Sequence, residues 1–441
     1  MVRANCAGPS RVTVLVVSGQ EAVKHLEGLD VRALVDPVPR LGPRERAGSR
    51  CRCGSRDIQV VRDGLDHRAE RGGCLDGGDR LCPVSFRDFV SSEPFKLELG
   101  GELPSLTLRY ETYGTLLPDK SNAILVPHAL SGDHHVAGRY SAEDRKPGWW
   151  DCFVGPGKAI DTNRFFVIGV NCIGGCRGST GPLSTDPRTG KPYGGYFPEI
   201  TLGDIVRAQR LLVRHLGIAK LHAVVGGSMG GMQALIWCAD YQAEVGRIVV
   251  LAAGLSQSPM AIALNAVSRA CVERDPNFRG GHYVPGEGPD SGLAIGRMIA
   301  HISYLSSASF EQKFGRAKVP GAGSGDAVHW QVESYLEHQG KSFVQRFDAN
   351  SWLRITRAVD RFDMTARASS GTLFTSDGPD VLAIGFSSDW LYPTSELRML
   401  LAAATAVGVN AAYHEVVTDA GHDGFLLPDT GLSVRLHAFL G

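Results

Sequence analysis

Val224-Val225-Gly226-Gly227-Ser228-Met229-Gly230-Gly231-Met232 carries the spacing G-x-S-x-G between an apolar run at 222–225 and a helix candidate at 232–240. A serine on a sharp strand-to-helix turn needs neighbours without Cβ atoms, and the glycines supply them. Such a turn projects the Ser228 hydroxyl into solvent. It also puts the Met229 amide at a helix N-terminus, aimed at a developing oxyanion. Glycines at these positions could instead only mark close packing of helix on strand. The strand before and the helix after favour the nucleophile.

Working outward, the runs at 123–126, 165–170, 222–225 and 247–251 are short, continuously apolar and end in loop signals. Strands of that kind are buried on both faces of a parallel sheet. Between two of them, residues 201–216 read as a helix with Thr201 at the N-cap, Asp204 three residues on, and Ile205, Val206, Leu211, Leu212 and Leu216 on one stripe. Alternating strands and helices predict βαβ units in a mostly parallel, doubly wound sheet. Upstream, 95–99 and 106–113 alternate with period 2, as half-buried antiparallel strands do. The rhythm breaks over 256–365, which reads as helices at 260–274, 292–306, 333–345 and 352–362, then resumes with strands at 381–386 and 413–417. The expected organisation is an α/β core formed by 86–255 and 366–441, interrupted by a helical insertion over 256–365.

A nucleophilic serine needs a base and an acid to orient that base, and behind an elbow of this type they follow as Asp or Glu, then His. Asp389 follows the 381–386 strand, and His422 follows the strand ending at 417. Both fall just past strand C-terminal ends, where side chains converge on the elbow. A solvated loop histidine and a helix-capping aspartate are the plainer alternatives. Order and placement together favour a Ser228–His422–Asp389 triad. The second oxyanion donor is expected from the loop after the 123–126 strand, with the Leu130 amide as the candidate. In that loop Asp133, His134 and His135 admit a metal reading, but no further cluster of His, Asp or Glu supports it, so no metal is expected.

The chain has 441 residues, with 43% hydrophobic and 21% charged. Its 46 Lys and Arg balance 46 Asp and Glu, which leaves no electrostatic footprint for nucleic acid or an anionic membrane. No apolar run approaches a membrane span, so the expectation is a soluble, cytoplasmic protein. Residues 1–85 are rich in Arg, Gly and Asp and lack sustained periodicity. Cys51, Cys53, Cys74 and Cys82, with His67, suggest a metal module, but their spacing departs from the usual C-x2-4-C pairs. The simpler expectation is a poorly structured extension. Cys172 and Cys176 form C-x3-C, but like Cys152 they read more simply as small buried thiols.

Residues from about 95 onward resemble the homoserine O-acyltransferases of the α/β-hydrolase superfamily, of the homoserine O-acetyltransferase type. The motifs are His128-Ala129-Leu130-Ser131-Gly132-Asp133, Gly148-Trp149-Trp150-Asp151, the segments at 155–162 and 174–182, Gly226 through Gln233, Phe347-Asp348-Ala349-Asn350-Ser351, the segment at 388–393 and Gly421-His422-Asp423. The family usually carries Thr where this chain has Ser131. The resemblance implies that Arg297 holds the acceptor's carboxylate with Tyr304 nearby, and that Asp423 takes its ammonium group. It further implies ping-pong acyl transfer in methionine biosynthesis, with acetyl-CoA as co-substrate, L-homoserine as acceptor, no permanently bound cofactor and a homodimer. Coenzyme A is expected to enter under the helical insertion. A zwitterionic acceptor independently needs a cation and an anion a few ångströms apart. The alternatives are a succinyl donor, a serine acceptor, or an esterase using the same triad. An ordinary esterase has no need of the zwitterion clamp.

Overall fold

The computed structural model describes residues 85–284, 286–320, 329–428 and 431–441. The N-terminal extension, apart from Ser85, and the proposed metal module of Cys51, Cys53, Cys74, Cys82 and His67 lie outside the described residues.

Eight strands form the central sheet: β1 (Arg87–Ser91), β2 (Leu106–Tyr113), β3 (Ala123–Pro127), β4 (Phe166–Val170), β5 (Ala223–Gly227), β6 (Arg247–Leu251), β7 (Asp380–Phe386) and β8 (Ala411–Val416). Their spatial order is β1-β2-β4-β3-β5-β6-β7-β8. The first two strands pair antiparallel, as do β2 and β4, and every pair from β4 through β8 is parallel. The apolar strands are sandwiched as their composition requires. Leu125, Val224, Ile248, Val250, Val381 and Ala383 point into one core. Ile124, Val126, Val225, Val249, Leu382 and Ile384 point into the other, where Trp150 and Phe153 pack.

Helix α1 (Leu202–His215) begins where its cap was read. The Thr201 hydroxyl accepts from the Asp204 amide at 3.0 Å, and the Asp204 carboxylate accepts from the Thr201 amide at 3.0 Å. This reciprocal cap contributes about 1 kcal/mol to the helix terminus. Helix α2 (Met229–Tyr241) starts directly after Ser228, three residues earlier than its periodicity predicts. The glycines there hide the helix from a pattern based on apolar side chains.

The insertion leaves after β6 and returns before β7. It holds α3 (Pro259–Arg274), α4 (Asp290–Tyr304), α5 (Ser307–Phe314), α6 (Gln331–Val344) and α7 (Ala349–Asp360), followed by the short α8 (Thr365–Ser369). Its two ends meet in an antiparallel bridge between Ser256 and Asp363. Arg354, Arg357 and Arg361 of this region converge on Glu199, and Arg354 also donates to the Phe197 and Gly195 carbonyls, each at 2.8 Å. The last two helices, α9 (Thr394–Ala406) and α10 (Leu432–Leu440), complete the two outer layers. Among the described residues no helix is long and apolar enough to cross a membrane.

One expected strand takes another form. Within 95–99 only Phe95–Lys96 pairs, with Glu102–Leu103, in a small ladder outside the central sheet. Gly100 and Gly101, at φ 92° and 80°, turn the chain back before a longer strand can form. The edge position goes instead to β1, whose sequence RDFVS carries little apolar signal.

Candidate active site

Ser228 sits at φ 56°, ψ −126°, a conformation that a residue with a Cβ adopts only under constraint. Neighbours hold it there. Its amide donates to the Leu251 carbonyl at 2.9 Å, and its carbonyl accepts from the Met232 amide at 3.1 Å. A Cβ on Gly226 would lie 2.2 Å from the Gly230 oxygen, and one on Gly230 would lie 2.3 Å from the Pro127 oxygen. Only glycine fits at these two positions, which is why the sequence has the form G-x-S-x-G.

The structure brings the three expected side chains together. His422 Nε2 lies 2.9 Å from Ser228 Oγ, and His422 Nδ1 lies 2.8 Å from Asp389 Oδ2. The other carboxylate oxygen, Asp389 Oδ1, accepts from the Leu391 and Tyr392 amides at 3.0 Å each. A carboxylate only accepts, so the imidazole proton sits on Nδ1 and Nε2 is free to take the serine proton. Asp389 and His422 are 4% and 3% exposed, whereas Ser228 is only half-buried and within reach of a substrate. Burial alone pushes His422 down, but the charge and hydrogen bond of Asp389, with the charge of Asp423, outweigh it and leave the imidazole above its ordinary value. Such a constellation can deprotonate a hydroxyl and carry an acyl group.

The amides of Leu130 and Met229 belong to two different elements, a loop after β3 and the start of α2. Gly132 N–H donates to the Ala129 carbonyl at 2.9 Å and closes a turn whose first central residue is Leu130. Met229 opens α2, where the first amides have no partner within the helix. Both residues line a cavity with Ser228, walled on the insertion side by Gly296, Ala300 and Tyr304.

Arg297, on α4, is 8% exposed. Its Nη1 donates to Ser131 Oγ at 3.2 Å, and its guanidinium lies 4.7 Å from the Phe343 ring centre and 5.4 Å from that of Tyr304. Among the described residues no carboxylate lies in contact with this buried charge, so a surface ion pair does not account for this arginine. Asp423, beside His422, faces a second cavity with Lys313 and Tyr335. Burial pushes its carboxyl up, while His422 and Arg297 hold it down. The Tyr304 ring, 5.4 Å from the Arg297 guanidinium, lies 5.8 Å from that of His422.

Arg346, absent from the sequence-based site, also reaches this region. Its Nη1 donates to the Ser131 carbonyl at 2.9 Å. The metal reading of the histidine loop meets different geometry. His135 Nδ1 lies 3.0 Å from the buried Glu111, to which Tyr113 and Tyr140 also donate. Among the described residues, no three His, Cys, Asp or Glu side chains are placed to hold a metal. Cys152, Cys172 and Cys176 are free thiols, and burial pushes Cys172 up to about 12 and Cys176 up to about 11.

A model of the alpha/beta hydrolase fold matches residues 122–429. The homoserine O-acetyltransferase of Caulobacter vibrioides is 50% identical over 358 residues, covering 80% of this chain and 93% of that protein. A homoserine O-succinyltransferase of Magnetococcus marinus is 47% identical over 370 residues, covering 82% and 94%. The crystal structure of esterase E22 superposes with a TM-score of 0.75 at 30% identity, covering 81% of this chain and 100% of that one.

Proposed function

Because this chain belongs to the homoserine O-acetyltransferase family of α/β hydrolases, we propose that it transfers an acetyl group from acetyl-CoA to the hydroxyl of L-homoserine, as a cytoplasmic step of methionine biosynthesis. In the first half-reaction His422 takes the Ser228 proton and Ser228 Oγ attacks the thioester carbonyl. Asp389 stabilises the imidazolium. The Leu130 and Met229 amides receive the oxyanion, the C–S bond breaks, and the proton on His422 leaves with the coenzyme A thiolate. In the second half His422 deprotonates the homoserine hydroxyl, which attacks acetyl-Ser228 and regenerates the serine. Arg297 holds the acceptor's carboxylate, Asp423 its ammonium group, and Tyr304 closes the space between them.

The observation that carries this reading is Arg297: a buried guanidinium with no carboxylate at ion-pair distance among the described residues, whose charge acts on Asp423 and whose helix walls the Ser228 cavity. A buried charge left uncompensated is costly, and the carboxylate of an amino acid supplies its partner. Likeness to an esterase keeps hydrolysis as the second reading. The purified protein, offered acetyl-CoA or succinyl-CoA with homoserine, serine or water alone, should release a burst of coenzyme A without acceptor and turn over rapidly only with homoserine. Release of coenzyme A at one rate whatever the acceptor would favour the hydrolase. A ternary mechanism with no acetyl-enzyme would exclude the ping-pong route.

We further propose a homodimer formed through the insertion. Met260, Val267, Ile295 and Ile302 on α3 and α4 stand exposed at 62%, 55%, 43% and 45%. Apolar residues of that size, clustered on two packed helices, favour a protein partner. Light scattering at micromolar concentration should give twice the chain mass, and a monomer mass would refute this assembly.

A further inference from the structure

The turn that presents the Leu130 amide is gripped from two sides. On the core side His128, 2% exposed, accepts from the Cys172 amide at Nε2 (3.1 Å) and donates from Nδ1 to the Ala129 carbonyl (2.7 Å). Burial pushes this imidazole down, so it stays neutral and keeps that tautomer. On the insertion side Arg346, between α6 and α7, donates to the Ser131 carbonyl at 2.9 Å. Its ring neighbour is Phe343 at 5.0 Å, shared with Arg297. Burial, with Arg297 adding to it, pushes Arg346 down to about 10, which leaves it charged at neutral pH.

Peptide groups are planar, so fixing the carbonyl end of one fixes the direction of its N–H. The Ser131 carbonyl and the Gly132 N–H belong to one peptide group, and that N–H donates to the Ala129 carbonyl at 2.9 Å. The Ala129 carbonyl and the Leu130 N–H belong to the next. A guanidinium at the far end therefore acts through two peptide dipoles in series, each polarising the next, with the Leu130 N–H as the terminal donor. We propose that Arg346 is a positioning residue that orients and polarises the Leu130 amide through this relay. The insertion then helps to assemble the oxyanion site as well as to select the acceptor. This rests on the reading of Ser228 and Leu130 given above.

The test is the burst of coenzyme A release from acetyl-CoA without acceptor, in the full-length protein. Arg346→Met removes donor and charge and should slow acylation about 10- to 100-fold, the range expected for a misaligned or weakened oxyanion donor. The apparent KM for homoserine should stay near the parent's. Arg346→Lys, which restores a charged donor, should recover much of the rate. If Arg346→Met does not fold, Arg346→Gln, which keeps a neutral donor but loses the charge, is compared with the parent by infrared difference spectroscopy with isotope-labelled acetyl-CoA. A longer or weaker relay should move the acetyl-Ser228 carbonyl stretch to higher frequency, and an unchanged stretch would overturn the proposal. An unaltered burst rate with a raised homoserine KM would also overturn it and put Arg346 in the acceptor clamp. Absence of any burst from the parent protein would instead remove the acyl-enzyme reading on which the relay depends.

Discussion

Ser228→Ala should abolish both halves of the proposed reaction: coenzyme A should no longer be released in a burst, and homoserine should no longer be acetylated. Removing the nucleophile of a comparable triad costs on the order of 10⁶-fold in kcat, so turnover should fall by at least about 10⁴-fold. The loss should come without unfolding. The serine side chain makes no capping hydrogen bond to α2, and the backbone constraint at φ 56° is met by the Leu251 carbonyl and the flanking glycines. The melting temperature should therefore remain near the parent's while single-turnover coenzyme A release disappears. A variant that still transferred acetyl groups within a hundredfold of the parent would show that the chemistry bypasses acetyl-Ser228.

Arg297→Ala and Asp423→Asn separate the two halves. Each removes one charge from the proposed acceptor clamp and leaves Ser228, His422 and Asp389 in place. Losing one partner of a buried, hydrogen-bonded charge pair costs about 2–5 kcal/mol, or roughly 30- to several-thousand-fold at 1.4 kcal/mol per decade. Both variants should still form acetyl-Ser228, transfer it to homoserine far more slowly, and lose it gradually to water. If Arg297→Ala transferred to homoserine at the parent's apparent KM, the clamp assignment would be wrong. Asp423→Asn has a second signature. His422 must be neutral to deprotonate Ser228, so acylation fails as pH drops through the imidazole pKa. Asp423 is one of the charges that raise this pKa. Its neutralisation should move the acid limb of the burst rate to lower pH, and a limb that stayed or rose would contradict that coupling.

The parts of this molecule that were legible in sequence are those encoded locally. The elbow was readable because Gly226 and Gly230 face backbone oxygens at distances no Cβ tolerates. The cap of α1 was readable because Thr201 and Asp204 satisfy each other's amides across three residues. Asp389 and His422 were found by order and by strand ends, both consequences of a parallel sheet. Arg297 and Asp423 needed a family resemblance, because a helix-borne arginine reads equally well as a surface ion pair. Arg346 escaped altogether. Its partner is a backbone carbonyl 215 residues away, and no side-chain pattern records such a contact. His128 stood inside a quoted motif, yet its work of fixing the Ala129 carbonyl became visible only in three dimensions. The edge strand β1 was missed because RDFVS carries little apolar signal, and 95–99 was read as a longer strand because alternation does not reveal that Gly100 and Gly101 turn the chain back.

The bridge between Ser256 and Asp363 has an evolutionary consequence. Because β6 and β7 pair directly, the chain departs and returns at one neck, and the helices between can diverge without disturbing the ladder that carries the nucleophile. Inheritance of acceptor preference is nonetheless divided. The residue proposed for the carboxylate, Arg297, travels with the insertion, whereas Asp423 is anchored beside His422 in the short helical turn at Gly421–Leu426, after β8. A lineage that exchanged only the helices would therefore change its choice of acid group and keep its choice of amine.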